Sequence, residues 1–185
     1  MSKFELFYPV FPYKVNQVWG IYNPAYQSFG FTRHNGIDLQ LGIEKLRAPV
    51  RMKIYDQNYY PKGGGYQVSA ITTEKWIVPH LDNKECYVVL TFMHNKEFLR
   101  KAGDILEIGD EIAIPDNTGF STGDHIHFGC YRVDENMTFI DKNEANGSFD
   151  PSLYWNKYYA KDSTKIFGAL YQIIALLTGF LKGRK

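Results

Sequence analysis

The sequence is poor in cysteine and has almost no net charge. Two cysteines occur in 185 residues, Cys86 and Cys130, and neither belongs to a C-x-x-C pair. Two are too few for a disulfide-rich scaffold in a chain of this length, so we expect two small buried side chains, although the sequence leaves a single bridge open. The formal net charge of +1 gives no support for nucleic-acid binding, which usually comes with a basic excess or a basic stripe.

Long apolar runs are also scarce. Pro9 and Pro12 interrupt the N-terminal segment, which therefore lacks the apolar stretch of about 7–15 residues that a secretory signal needs. We expect a chain that is either made without such a signal or has lost it. The apolar stretch 166–181 has 16 residues, whereas a bilayer-spanning helix needs about 20, so we expect no transmembrane segment.

Most of the chain has the pattern of β-strands. Short runs rich in β-branched and aromatic residues, such as 87–92, alternate with turn signals such as Asn35-Gly36 and Gly63-Gly64-Gly65. No long segment before about residue 155 shows apolar residues at helical spacing. The sequence therefore predicts an antiparallel all-β domain over residues 1–160.

The last part of the chain, residues 161–185, has a different pattern. Large apolar residues recur at three- and four-residue steps through 166–181, and basic residues follow. This spacing predicts a C-terminal amphipathic α-helix. We expect its apolar face either to pack on protein, on its own domain or on a second copy, or to attach the chain to a membrane surface or the cell wall.

The first candidate metal ligands are His34 and Asp38. Both residue types are good zinc ligands. On a straight strand they would lie about 13 Å apart, too far to share an ion. The segment must therefore bend, and Asn35-Gly36 is a natural bending point.

A second candidate pair is His125 and His127. On a strand, residues two apart point to the same face at about 7 Å, so both could share a metal, or one could bind the metal while the other acts on substrate. A polar, glycine-containing loop precedes them, and such loops often carry chemistry. The polar residues of this loop are candidate substrate contacts: Asn117, Thr118, Ser121 and Thr122.

The other two histidines are weaker candidates by themselves. His94 ends the β-like run 90–94, where an ordinary strand-end histidine would be expected. His80 follows Pro79 and is expected in a loop.

Together, three motifs resemble the lysostaphin-type zinc metalloendopeptidases, which hydrolyse peptidoglycan. They are H-N-G-I-D at 34–38, F-M-H at 92–94 and S-T-G-D-H-I-H-F at 121–128. The resemblance covers roughly residues 8–130, and its departures are Asn95 and Gly129, where the family commonly has Leu and Glu. These departures bear on substrate preference. The segment 57–83 fits the family pattern poorly, and we expect it to form loops around the groove.

The resemblance implies a fold and a set of roles. The fold is an antiparallel β-sheet sandwich with a groove, the duplicated hybrid motif of this family. One zinc ion per chain would be held by His34, Asp38 and His127, with a water or substrate as the fourth ligand. His94 and His125 would be the catalytic histidines. The expected reaction is hydrolysis of a peptide bond in a peptidoglycan cross-bridge or stem peptide by a metal-activated water.

The resemblance leaves two rival functions open, and an interaction protein whose C-terminal helix drives assembly is a third. One is a non-catalytic wall-binding or activating module on the same fold. The other is a zinc D-Ala-D-Ala dipeptidase or carboxypeptidase, which uses a similar ligand set. For each, the expected place of action is the bacterial cell wall. It would be reached either by phage-encoded or virion-associated release or as a secreted protein that has lost its signal.

Overall fold

The computed structural model of the chain describes residues 3–9, 13–41 and 45–156. Apart from Asn156, these residues belong to the first of the two units into which the chain divides, Met1–Trp155. Within them the chain is an antiparallel β-structure, as the sequence predicts. The predicted boundary after residue 160 and the predicted helix over 166–181 lie outside the described residues.

Eleven strands and two short 3-10 helices make up this part of the chain. The strands are β1 (Tyr13–Gln17), β2 (Ile37–Leu41), β3 (Leu46–Arg47), β4 (Met52–Tyr60), β5 (Gly65–Thr72), β6 (Trp76–Ile77), β7 (Glu85–Phe98), β8 (Ile105–Leu106), β9 (Glu111–Pro115), β10 (His125–Val133) and β11 (Ser148–Phe149). The helices are η1 (Pro24–Phe29) and η2 (Pro151–Tyr154). Among the described residues, no helix is long and apolar enough to cross a membrane.

The sheet runs in the order β1-β2-β10-β7-β5-β4-β8, and all its strand pairs are antiparallel. Off this path, β11 pairs with β10, β6 with β7, and β9 with both β3 and β7. Strands β2, β10 and β7 are therefore neighbours in the sheet, although they are far apart in the chain. These three strands carry the candidate metal ligand Asp38 and the three histidines His94, His125 and His127.

Strands β2, β7 and β10 each have one apolar face and one mixed face, because successive side chains of a strand point to opposite sides. The apolar face consists of buried residues: Ile37 and Leu39 of β2, Val88, Leu90 and Phe92 of β7, and Ile126, Phe128 and Cys130 of β10. It belongs to one large hydrophobic cluster. In its middle the rings of Phe92 and Phe128 stack with centroids 5.1 Å apart.

Both cysteines are buried and unpaired, which confirms the sequence-based expectation. Burial raises the pKa of the Cys86 thiol to about 11 and raises that of Cys130 well above its ordinary value. Both side chains therefore act as small apolar residues of the core.

The expectation of loops over residues 57–83 is wrong. Strands β4 and β5 pair from Met52↔Thr72 to Tyr60↔Gly65, and only the turn between them contains the glycine run. The alternating residues Val68 and Ala70 are fully buried, so this segment forms part of the core sheet rather than a loop around it. Of residues 57–83, those that border the groove described below lie at the tip of the hairpin and on one face of β5.

Candidate metal centre and its groove

Three candidate ligands meet where β2 and β10 run side by side. Asp38 and His127 are directly opposite each other in the register of these strands. His34 lies just before β2, and the chain bends so that its Nε2 comes 3.1 Å from Asp38 Oδ1. The predicted bend between residues 34 and 38 is therefore present, and it places a histidine and a carboxylate side by side.

The three ligand atoms converge on one point. His127 Nδ1 lies 3.0 Å from His34 Nε2 and 3.1 Å from Asp38 Oδ1. Burial alone would raise the pKa of the Asp38 carboxyl, but hydrogen bonds and charge from His127 and His34 outweigh burial and hold that pKa well below its usual range. Two imidazole nitrogens and one carboxylate oxygen at these separations match the donor set of a zinc site with bonds of about 2.0–2.2 Å.

Hydrogen bonds to the backbone fix which nitrogen of His34 faces the site. Its Nδ1–H donates to the carbonyl oxygen of Val18 at 3.0 Å, so in the neutral ring Nε2 carries the lone pair. His127 is oriented differently, by packing. Its Nε2 is buried and has no hydrogen-bond partner among the described residues, which leaves Nδ1 as the atom that meets the other two ligands.

Gly36 provides the space for His127. A Cβ on Gly36 would lie 2.7 Å from His127 Nε2 and 2.5 Å from the carbonyl oxygen of Phe128. Neither Asn35 nor Gly36 has a positive φ, so the bend does not depend on left-handed backbone. The glycine is needed for close approach to the imidazole, a requirement that the sequence pattern alone did not reveal.

Two further histidines flank the ligand cluster. The Nδ1–H of His125 donates to the carbonyl oxygen of Gly123 at 2.7 Å, and the Nδ1–H of His94 donates to that of Thr118 at 2.7 Å. The two rings lie 4.7 Å apart, and His125 Nε2 is 3.6 Å from Asp38 Oδ1. Burial lowers the pKa of His94 to about 4. His94 is therefore neutral near pH 7, with its lone pair on Nε2.

The backbone at His94 departs from the sequence-based expectation. β7 does not end there but continues to Phe98, and His94 takes a left-handed φ of 67° inside the strand. Such a φ costs energy in a residue with a side chain, and it persists where the surroundings fix it. Here the His94 N–H donates to the Gly64 carbonyl at 2.7 Å, and the His94 carbonyl accepts from the Asp116 N–H at 2.9 Å. The strand therefore kinks at the histidine, between its last pair with β10, at Met93, and its first pair with β9, at Asn95.

The loop between β9 and β10 holds His94 in place and borders the groove. The Thr118 hydroxyl donates to the Asn95 carbonyl at 2.6 Å and accepts from the Tyr66 N–H at 3.0 Å. Gly119 and Gly65, both with positive φ, pack so closely that a Cβ on either would clash with the other segment. The loop is thus fastened to the tip of the β4–β5 hairpin.

The four predicted substrate contacts of this loop differ in position. Ser121 and Thr122 line the groove, whereas the side chain of Asn117 is exposed away from its lining. The Thr118 hydroxyl is hydrogen-bonded to the backbone, and the Thr118 carbonyl accepts a hydrogen bond from His94. Substrate binding by these residues stays a prediction.

A cavity of about 500 Å³ opens directly over the five residues. Part of its lining is aromatic: Tyr26 stacks on His34 with centroids 5.9 Å apart, and Phe29 contacts Phe120 edge-on at 5.3 Å. Another part of the lining is made of side chains with polar groups: Asn35, Gln67, Ser69, Thr91 and Tyr131. Of the described residues that line the cavity, Asp38 is the sole acid, and none is a lysine or an arginine.

The loop after β10 adds a wall to the cavity through Phe139 and Asn146. It is anchored by the buried guanidinium of Arg132, which donates to Asp141 at 2.7 and 2.8 Å and to Asp82 at 2.6 Å. The Glu144 carbonyl accepts the backbone N–H groups of residues 32 and 33, next to His34. No motif in the sequence pointed to this ion cluster or to Tyr26, because both depend on contacts between segments far apart in the chain.

Known proteins resemble this chain in a short stretch of sequence and in fold. No family model matches the chain. A segment of 43 residues is 42% identical to an uncharacterized metalloprotease of Buchnera aphidicola subsp. Baizongia pistaciae. That segment covers 23% of this chain and 11% of the relative, so the match spans about a tenth of the relative's length.

Solved structures match over most of the described chain. The catalytic domain of lysostaphin from Staphylococcus simulans superposes with a TM-score of 0.56 at 22% identity, covering 77% of this chain and 91% of that domain. A zinc-containing peptidase from Vibrio cholerae gives a TM-score of 0.57 at 20% identity, covering 81% of this chain but 39% of that protein. The likeness confirms the fold that the sequence resemblance implied.

Proposed function

We propose that this chain, which has the fold of the lysostaphin-type peptidases, is a zinc-dependent endopeptidase that hydrolyses peptide bonds of bacterial peptidoglycan. The bond would lie in a cross-bridge or a stem peptide, and the place of action would be the cell wall. One observation carries the proposal. His34 Nε2, Asp38 Oδ1 and His127 Nδ1 converge at 3.0–3.1 Å beside two further histidines at the base of an open groove.

The residues present fit a zinc ion. Two neutral imidazoles and one carboxylate supply three ligands, and the adjoining cavity leaves room for a fourth, which is the arrangement of catalytic rather than structural zinc. When bound, zinc lowers the pKa of a coordinated water and polarises a carbonyl group. The hydrogen bond from His34 to Val18 orients one of the ligands for this role.

His94 and His125 are the groups of this chain suited to move the proton. Each ring commits its Nδ1–H to a backbone carbonyl, so each Nε2 is a proton acceptor in the neutral ring. One of them takes the proton of the attacking water, and once protonated it can donate to the leaving amine. The other ring lies 4.7 Å away, close enough to act on the same substrate group.

The groove favours an internal peptide bond over a chain terminus. A dipeptidase or carboxypeptidase must hold a free carboxylate, and such groups are usually bound by arginine or lysine. Among the described residues that line the cavity there is no such cation. The lining instead offers amides, hydroxyls and aromatic rings, which suit an uncharged stretch of polypeptide.

The test is clearing of purified cell walls, followed as loss of turbidity. We expect clearing by the wild-type protein, loss of clearing with a chelator, and recovery when zinc is added back. His80→Ala is a matched control, since His80 lies in a turn outside the groove lining and its loss should leave clearing unchanged.

Two other outcomes would replace the proposal. Release of free D-Ala without cut cross-links would establish the dipeptidase or carboxypeptidase. Binding to walls of several cross-link types without clearing, by protein with its full zinc content, would establish a binding module.

A further inference from the structure

Tyr131 lies on the groove face of β10, four residues after the ligand His127, and the proposed reaction gives it no part. Its ring is almost completely buried. We infer that Tyr131 is a positioning residue for the metal-binding segment 34–38 and acts through Asn35, an inference that rests on the proposed zinc site. The ligand class concerned is a divalent cation, and the quantity affected is the affinity of the protein for it.

The link between the two side chains is a buried hydrogen bond. Asn35 Nδ2 donates to the Tyr131 hydroxyl oxygen at 2.8 Å. Burial raises the pKa of the Tyr131 hydroxyl, which therefore stays neutral at physiological pH. A buried amide that loses its partner retains an unmet donor, so removal of the hydroxyl would disturb Asn35 rather than leave it in place.

Asn35 is placed so that any displacement reaches two ligands. It follows His34 directly and precedes Gly36, whose Cα lies against the His127 ring. A shift of the Asn35 backbone would therefore move His34 and also alter the space in which His127 sits. Groups that orient metal ligands in this way typically change metal affinity by about 10–100-fold when removed.

Gly129 makes the arrangement sterically feasible. It lies between His127 and Tyr131 on the same face of β10. A Cβ there would come 3.1 Å from Tyr131 Cε2, 3.1 Å from the Asn35 carbonyl oxygen and 2.7 Å from Thr91 Oγ1. The absence of a side chain at this position lets the tyrosine ring and the Asn35 segment pack together over the strand.

The experiment measures zinc affinity of the full-length, metal-free protein by competition with a chromophoric chelator, so that it does not depend on activity. We expect Tyr131→Phe to raise the zinc dissociation constant about tenfold. The matched control is Tyr154→Phe. Tyr154 is similarly buried, and its hydroxyl donates to the Pro79 carbonyl at 2.6 Å, outside the groove lining. This variant should lose one partly buried hydrogen bond and keep wild-type zinc affinity.

A second variant keeps the test decisive if Tyr131→Phe folds poorly. Asn35→Ala removes the other partner, and the double variant should bind zinc no more weakly than the weaker single variant, because both act through one contact. Wild-type affinity in Tyr131→Phe or in Asn35→Ala would overturn the inference, as would equal losses in Tyr131→Phe and Tyr154→Phe. A wild-type protein that binds no zinc would overturn the proposed function and the inference with it.

Discussion

The two faces of strand β10 differ in what fixes their residues. On the core face, Ile126, Phe128 and Cys130 are fully buried and pack by volume. On the groove face, specific contacts of Nδ1 matter: that of His125 donates to Gly123, and that of His127 faces Asp38 and His34. Gly129, on the same face, matters because a side chain there would clash with its neighbours. We therefore expect changes to the buried side chains of the core face to alter stability, and changes to the two histidines of the groove face to alter metal binding or rate.

The largest expected effect is on the groove face, at His127. His127→Ala removes a proposed ligand, so we expect zinc content and wall clearing both to fall to background. Zinc content is measured on the purified protein by elemental analysis. A full zinc complement in this variant would contradict the ligand assignment.

His125→Ala tests a second residue of the groove face, one that is not a proposed ligand. His125 Nε2 lies outside the three-ligand cluster, so we expect zinc to be retained while the clearing rate falls by about 100–10,000-fold, the range for loss of a general acid–base group. The two measurements are zinc stoichiometry and initial clearing rate. Loss of zinc together with rate would make His125 a ligand and reassign the site.

Phe128→Ala tests the core face of the same strand. Its ring is fully buried and stacks on Phe92, so we expect a loss of about 3–5 kcal/mol in the free energy of unfolding, measured with urea. The folded fraction should still bind one zinc ion per chain. Zinc loss from a stably folded variant would show that the two faces are not separable.

Gly129→Ala should give the smallest of these effects. The added Cβ would meet the Thr91 hydroxyl at 2.7 Å, so we expect a loss of about 1–3 kcal/mol in the free energy of unfolding. Gly123→Ala is the matched control, because a Cβ there meets no atom within 4 Å and should change stability by less than about 0.5 kcal/mol. Equal stability of the two variants would remove the steric argument for Gly129.

The sequence predicted those parts of the molecule that depend on local spacing. The alternation in β10, the turn at Gly63-Gly64-Gly65 and the grouping of His34 with Asp38 all follow from residues near one another in the chain. The all-β fold is confirmed for the same reason. The zinc-binding and catalytic roles of the histidines remain predictions, although the structure brings the five residues together.

The features that could not be predicted depend on which strands become neighbours. The sequence indicates that Asn35-Gly36 is a bending point, but the contact of Gly36 with His127 arises only when β2 and β10 pair. The kink at His94 likewise needs the hairpin tip and the β9–β10 loop on either side of β7. The expectation of loops over 57–83 rests on the lack of family motifs there, whereas residues 57–60 and 65–72 pair as strands and alternate residues of the second strand, Val68 and Ala70, are buried.

The distance along the chain between His34 and His127 has a thermodynamic consequence. The two ligands are 93 positions apart, so an ion held by both would act as a removable cross-link that closes a long loop. An ion that binds the native chain alone stabilises it by about 4 kcal/mol at a thousand times its dissociation constant. A chelator would then remove the catalyst and weaken the fold in one step, and susceptibility to proteolysis would rise as zinc is withdrawn.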